Sequence, residues 1–132
     1  MKKPIAIFEA LADENRLRVL NLLIVSPELC VADLERILGL PQTRVSRHLA
    51  YLKSRDLVDA RRNGTWKYYT LGTVFRQQPD LAGILRSMLI QSEQCLTDIE
   101  LLLEGLDRNS VTALQGASSE TIESVIQNCC AA

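Results

Sequence analysis

Residues 58–71, VDARRNGTWKYYTL, set Asn63-Gly64 between two runs of strand-compatible residues. Asn-Gly is the strongest short signal for a β-hairpin, because both turn positions then take positive φ. The tip is basic, with Arg61, Arg62 and Lys67 around the turn. Everything before it reads at helical period. Residues 5–12 and 15–25 predict two helices, the second with Leu17, Leu20, Leu23 and Ile24 recurring on one face and Ser26-Pro27 as its stop. A short third helix, Val31 to Leu38, presents Leu34, Ile37 and Leu38, Gly39-Leu40-Pro41 turns the chain, and a fourth helix runs from Gln42 to Arg55. Beyond the hairpin one long helix is expected from Pro79 to Glu104, with Gly105 as its C-cap. A loose connection over 107–119 then leads to a last short helix carrying Ile122, Val125, Ile126 and Cys129 on one stripe.

At 132 residues the chain fits one domain with a core of its own, and 47% apolar with 23% charged residues excludes a disordered chain. No apolar run approaches the roughly 20 residues of a membrane-spanning helix. Glu9, Asp13 and Glu14 interrupt any signal-like segment at the N-terminus. A cytoplasmic location is expected, where Cys30, Cys95, Cys129 and Cys130 are free thiols, metal ligands or redox sensors and not a disulfide framework. The net charge of −1 is unevenly divided. Residues 1–40 carry 5 Lys/Arg against 6 Asp/Glu, residues 41–77 carry 8 against 2, and residues 78–132 carry 2 against 8. A basic middle beside an acidic C-terminal part points to one face that meets a polyanion.

Two short helices joined by a tight turn and followed by a basic hairpin make a mainly α protein with the order of a winged helix-turn-helix. The faces of the fourth helix agree. At about 100° per residue, Val45, Leu49 and Leu52 share an inner stripe while Thr43, Ser46, Arg47 and Ala50 lie opposite. Small residues permit close approach to a major groove, and Arg47 can donate to guanine or to phosphate. Gln42 and Thr43, at the helix start, are placed to reach base edges, with Arg44 and His48 as flanking phosphate contacts. Arg61, Arg62 and Lys67 suit a wing lying along the backbone or in the minor groove. Trp66, Tyr68 and Tyr69 read as packing within the hairpin rather than as base stackers. An exposed amphipathic helix without a ligand is the competing reading of the helix alone, and the basic wing decides against it.

Four blocks in order, ALADENRLRVLNLL, ELCVADLERIL, LPQTRVSRHLAYLKSRDLV and RRNGTWKYYTL, resemble the ArsR/SmtB family of bacterial metalloregulatory repressors over residues 5–75. The resemblance implies a homodimer that binds an inverted repeat in double-stranded operator DNA and leaves when an inducer binds. It matches the recognition helix to Gln42, Thr43, Ser46 and Arg47, and the wing to Arg61 through Lys67. Residues 1–106 are then a DNA-binding and dimerisation domain, with the first and last long helices as the dimer seam. Residues 107–132 form a C-terminal extension with a short helix and a cysteine pair.

The family's sensing sites differ in how well they map onto this chain. The arsenic-sensing type resembles Glu-Leu-Cys-Val-Cys-Asp-Leu, but here Glu28-Leu29-Cys30-Val31-Ala32-Asp33-Leu34 has alanine where the second thiol belongs. Cys30 alone cannot hold a trivalent arsenical and reads first as a small buried hydrophobe. The zinc-sensing type needs imidazoles on the last helix, and the one histidine, His48, lies in the recognition helix. Cys95 shares a stripe with Ile84, Met88, Ile99, Leu102 and Leu106, read as the dimer face, where it is either core packing or a ligand. With the adjacent Cys129 and Cys130 it makes three thiols, the soft donor set that As(III) or Sb(III) prefers as inducer. The alternative is thiol-based redox sensing of peroxide or persulfide, in which Cys95 pairs with one tail thiol because a bridge between adjacent cysteines is strained. No Cys-x-x-Cys, no Ser/His/Asp set away from the DNA helix and no Gly-rich phosphate loop is present, so the chain reads as a non-enzyme.

Overall fold

The computed structural model describes residues 2–107. The expected last helix, Cys129 and Cys130 lie outside the described residues. Helix α1 (Lys2–Leu11) leads into α2 (Glu14–Val25), the axis of the domain. Asp13 starts α2 by accepting the Arg16 amide at 3.0 Å, which satisfies one of the donors a helix start leaves open. From Val19 to Val25 every residue of α2 is buried, as expected of a helix surrounded by packing partners rather than lying on a surface.

Helix α3 (Val31–Leu38) and helix α4 (Gln42–Ser54) form the helix-turn-helix. Gly39 closes α3 at φ 67°, in the left-handed region where a residue without Cβ is unstrained. The strands β1 (Leu29–Cys30), β2 (Val58–Asn63) and β3 (Trp66–Leu71) form an antiparallel sheet in the order β1-β3-β2. Two-residue β1 was not legible in the sequence, because it is too short to show alternation. It exists because Leu29 and Cys30 pair with Tyr69 and Tyr68. The hairpin is where the sequence placed it, but its turn is shifted by one residue. Asn63 pairs with Trp66, leaving Gly64-Thr65 as the loop, and only Gly64 has positive φ, 65°. Glycine first with an ordinary second residue is the type II′ pattern, so positive φ at Asn63 is not required.

After β3 a short helix α5 (Thr73–Gln77) precedes α6 (Leu81–Leu89) and α7 (Glu93–Asp107). The single long helix expected from Pro79 is therefore two. Ser92 breaks it, its hydroxyl accepting the Cys95 amide at 3.3 Å and its carbonyl the Leu96 amide at 3.1 Å, an N-cap that competes with continuation of the helix. Gly105 lies inside α7 and does not take positive φ, so nothing turns the chain there. The break also divides the expected apolar stripe. Ile84 and Met88 on α6 are exposed, whereas Cys95, Ile99 and Leu102 on α7 are buried in the domain's own core.

Polar contacts fix α7 against α2 and α3. Arg18 of α2 grips Asp98 with two hydrogen bonds of 2.8 and 3.0 Å and donates to the carbonyl of Leu38, the last residue of α3, at 3.2 Å. Asn21 donates to the Cys95 carbonyl at 3.2 Å and accepts from Arg86 at 3.0 Å. Among the described residues no helix is long and apolar enough to cross a membrane.

The wing closes at its stem through Gly72, whose amide donates to the Leu57 carbonyl at 2.9 Å, and through Val74, whose amide donates to the Asp56 carbonyl at 3.0 Å. A Cβ on Gly72 would stand 2.8 Å from the Asp56 carbonyl carbon, and backbone cannot swing aside as a side-chain tip can. Gly72→Ala is therefore expected to lower stability by roughly 1–3 kcal/mol, measured by urea unfolding, while Gly64→Ala, with open space around it, should destabilise through its φ of 65° and not through a clash.

Candidate nucleic-acid interface

Helix α4 is held by its inner stripe and open on its outer one. Val45, Leu49 and Leu52 are fully buried, while Gln42, Thr43, Arg44, Ser46, Arg47 and Ala50 are exposed. The structure thus brings the expected recognition residues together on one face. Pro41 precedes the helix and offers no side-chain cap, and while the Arg44 amide donates to the Pro41 carbonyl at 3.0 Å, the Gln42 and Thr43 amides before it have no acceptor among the described residues, an arrangement that suits an anion such as phosphate.

The basic residues of the middle segment divide into paired and unpaired ones. Arg61 is held by Glu28, with contacts of 2.7 and 2.8 Å from Nη2, and that hydrogen-bonded carboxylate raises its pKa. Arg76 is paired with Asp59 at 2.9 Å. Arg55 lies over the Tyr51 ring at 3.5 Å, as does Arg16 of α2 at 4.1 Å. Arg44, Arg47 and Arg62 have no carboxylate within salt-bridge distance among the described residues. Lys67 is half-buried with its Nζ 5.5 Å from the Tyr69 ring. Sequence reasoning missed Glu28 as the wing's inner strut, because a separation of 33 positions from Arg61 carries no local signal. It also took Trp66 as hairpin packing together with Tyr68 and Tyr69. The tyrosines are buried, but Trp66 is 57% exposed, since its cross-strand neighbour is the polar Asn63 at the end of the ladder.

The two described cysteines occupy separate sites. Cys30 is 5% exposed and its thiol donates to Asp33 at 3.2 Å, and burial pushes its pKa up. It borders a groove of about 590 Å³ between α3, α4 and the wing. Cys95 is 3% exposed, and burial likewise raises its pKa. It borders a different cleft, of about 470 Å³, between the α1–α2 corner and the α6–α7 break. Among the described residues no three His, Cys, Asp or Glu side chains gather to hold a metal ion.

Residues 13–60 match the family model described as bacterial regulatory protein, arsR family. The chain is 36% identical over 115 residues to the arsenic resistance transcriptional regulator ArsR2 of Pseudomonas putida, covering 84% of this chain and 95% of that one. The chain belongs to the ArsR family. To ArsR1 of the same organism, likewise an arsenic resistance transcriptional regulator, it is 43% identical over 100 residues, 76% of this chain and 77% of the relative. The homodimeric winged helix-turn-helix DNA-binding domain of Mb0332 from Mycobacterium bovis superposes with a TM-score of 0.57 at 30% identity, over 72% of this chain and 82% of that one. The fold of this ArsR-family regulator is thus a winged helix-turn-helix, with α4 as the second helix of the helix-turn-helix.

His48 adds a proton to this interface. It lies half-buried on α4, and burial is the largest cause that lowers its pKa. Asp13 opposes that shift, and Arg16, Arg44 and Arg47 add to it. In the free protein the imidazole is therefore neutral at pH 7. A phosphate drawn to Arg44 and Arg47 would favour the imidazolium, so binding takes up a proton and tightens as pH falls through the ordinary histidine range. DNA affinity is expected to rise severalfold from pH 7.5 to 5.5, by fluorescence anisotropy at constant salt, and His48→Gln should remove that part of the pH dependence.

Proposed function

We propose that this ArsR-family chain is an arsenic-responsive transcriptional repressor, a homodimer that holds operator DNA through α4 and the wing and releases it when As(III) or Sb(III) binds cysteine thiolates. The observation that carries the reading is the exposed, uncapped face of α4, flanked by the unpaired cations Arg44, Arg47 and Arg62. The relatives' printed role in arsenic resistance supports the choice of inducer.

Dimerisation is supported by the apolar surface that one protomer leaves uncovered. Phe8 on α1 is 70% exposed, and Ile5, Ile84 and Met88 are exposed beside it. Ile7, Phe8, Leu11, Leu81 and Ile84 line a groove of about 580 Å³ between α1 and α6. A second copy would cover this face and set the two recognition helices one DNA turn apart. Sedimentation at micromolar concentration should give the dimer, and Phe8→Glu should give monomers with weakened operator binding.

For the inducer site, Cys129 and Cys130 would supply two thiolates and Cys95 the third, reached through the cleft at the α6–α7 break. The burial of Cys95 favours the protonated thiol in the free protein, so a soft metalloid, which displaces that proton, is a better match than a hard cation. Cys30, tied to Asp33 at the start of α3, stands outside this set. To release DNA the inducer must favour the DNA-incompetent form, and a hundredfold preference corresponds to about 2.7 kcal/mol.

Anisotropy with the promoter region of the chain's own operon tests the whole reading. Cys129→Ser with Cys130→Ser should bind DNA normally and stay bound when As(III) is added, whereas Cys30→Ser should be released like the native chain. A tail variant that still responds, beside a Cys30→Ser that does not, would move the site to α3. Arg47→Ala should lose about 1–3 kcal/mol and sequence preference, while Arg62→Ala should weaken all sequences alike and flatten the salt dependence.

A further inference from the structure

Trp66 is the single tryptophan of the chain, and its place at the end of the ladder, opposite Asn63, leaves it 57% exposed. Its neighbours on β3 are both covered. Tyr68 is buried with the Arg61 guanidinium 5.4 Å from its ring, and Tyr69 is buried in the core with Lys67 beside it. Trp66 instead stands at the mouth of the groove between the wing and the helix-turn-helix, shared with Ala32, Gln42, Ser46, Ala50 and Lys67. Ser46 and Ala50 make the α4 side of this groove shallow, while Gln42 and the half-buried Glu35 of α3 also line it. Its rim carries Lys67, with Arg62 directly across the ladder, and the groove is continuous with the outer face of α4 through Gln42 and Ser46.

We propose that Trp66 is a DNA-contacting residue, its indole packing on the sugar of the strand that lies between α4 and the wing and adding an apolar part to binding. The proposal rests on the reading of α4 and the wing as a DNA interface. It assigns the two kinds of wing residue different work. Arg62 and Lys67 act on phosphate charge, so their contribution falls as salt rises. The indole excludes water from a deoxyribose face, a contact that releases no counterion and leaves the salt slope unchanged.

The single tryptophan makes the test direct. On titration of the full-length native chain with operator duplex, Trp66 emission should shift to the blue and change in intensity, saturating with the same midpoint as the anisotropy of labelled DNA. Trp66→Ala should weaken binding about tenfold, in the range of an aromatic contact to nucleic acid, with the slope of log affinity against log salt unaltered. Trp66→Phe, which preserves the hairpin, should recover part of the loss. Emission unchanged at saturating DNA would overturn the proposal, as would a Trp66→Ala variant whose salt slope flattens along with its affinity, because the residue would then serve only to hold the wing's cations in place. If the native chain fails to bind duplex DNA by anisotropy, the underlying reading of the interface falls, and this inference falls with it.

Discussion

The bidentate contact between Arg18 and Asp98 is the point on which the arrangement of helices depends. Asp98 is fully buried, and a carboxylate removed from water requires a partner that satisfies both its oxygens. Arg18 donates to both oxygens, and Gln94 adds a further donor to Oδ1 at 3.0 Å. The hydrogen bond to Asp98 raises the pKa of Arg18, so the guanidinium stays charged. The same guanidinium also reaches the Leu38 carbonyl at the end of α3. One side chain of the central helix therefore fixes the C-terminal helix and the turn that aims α4. Arg36 adds a second tie, from α3 to the Leu101 carbonyl at 3.4 Å. A change in the first turn of α7, where Cys95 sits one turn before Asp98, bears on the helix-turn-helix through this contact.

The charge pattern of the sequence gains its meaning only when pairing is counted. Eight basic residues between positions 41 and 77 suggest a uniformly basic face. In the folded chain several of them are used internally: Arg61 braces the wing against Glu28, Arg76 ties Asp59, and Arg55 covers Tyr51. What is left unpaired is narrower and better placed, a set of cations on the outer face of α4 and on the wing. Surface ion pairs of this kind stabilise little, so their main effect is to restrict which cations meet a ligand.

Much of this was legible in the sequence because it follows from local rules. The apolar spacing of Val45, Leu49 and Leu52 fixes the faces of α4, Gly39 ends α3, and the hairpin falls on residues 58–71. What was not legible depends on distant partners or on competition. β1 exists only because Tyr68 and Tyr69 are there to pair with it. The break before α7 turns on whether Ser92 caps a new helix or sits in the middle of an old one, and helical periodicity continues across it in either case. Cys95 was read as part of an outward seam with Ile84 and Met88 because an unbroken helix would align them. The break rotates it into the core instead. Glu28 could not be recognised as the partner of Arg61 from spacing, since only the fold of the sheet brings them together.

The stem of the wing has a mechanical consequence. The hairpin is pinned at its stem, by Gly72 on Leu57 and Val74 on Asp56, and again half-way along, where β1 pairs with Tyr68 and Tyr69 and Glu28 holds Arg61, so the part that overhangs is the tip from Arg62 to Lys67, about 10 Å at roughly 3.3 Å per residue. It therefore acts as a lever arm. A tilt of about 10° of that overhang displaces the tip by roughly 2 Å on that length, enough to part a hydrogen bond to phosphate. The short arm of the lever is α5, whose Val74 and Gln77 face the apolar groove shared with α1 and α6. Any displacement of the wing would thus be largest at Gly64, the end farthest from its supports.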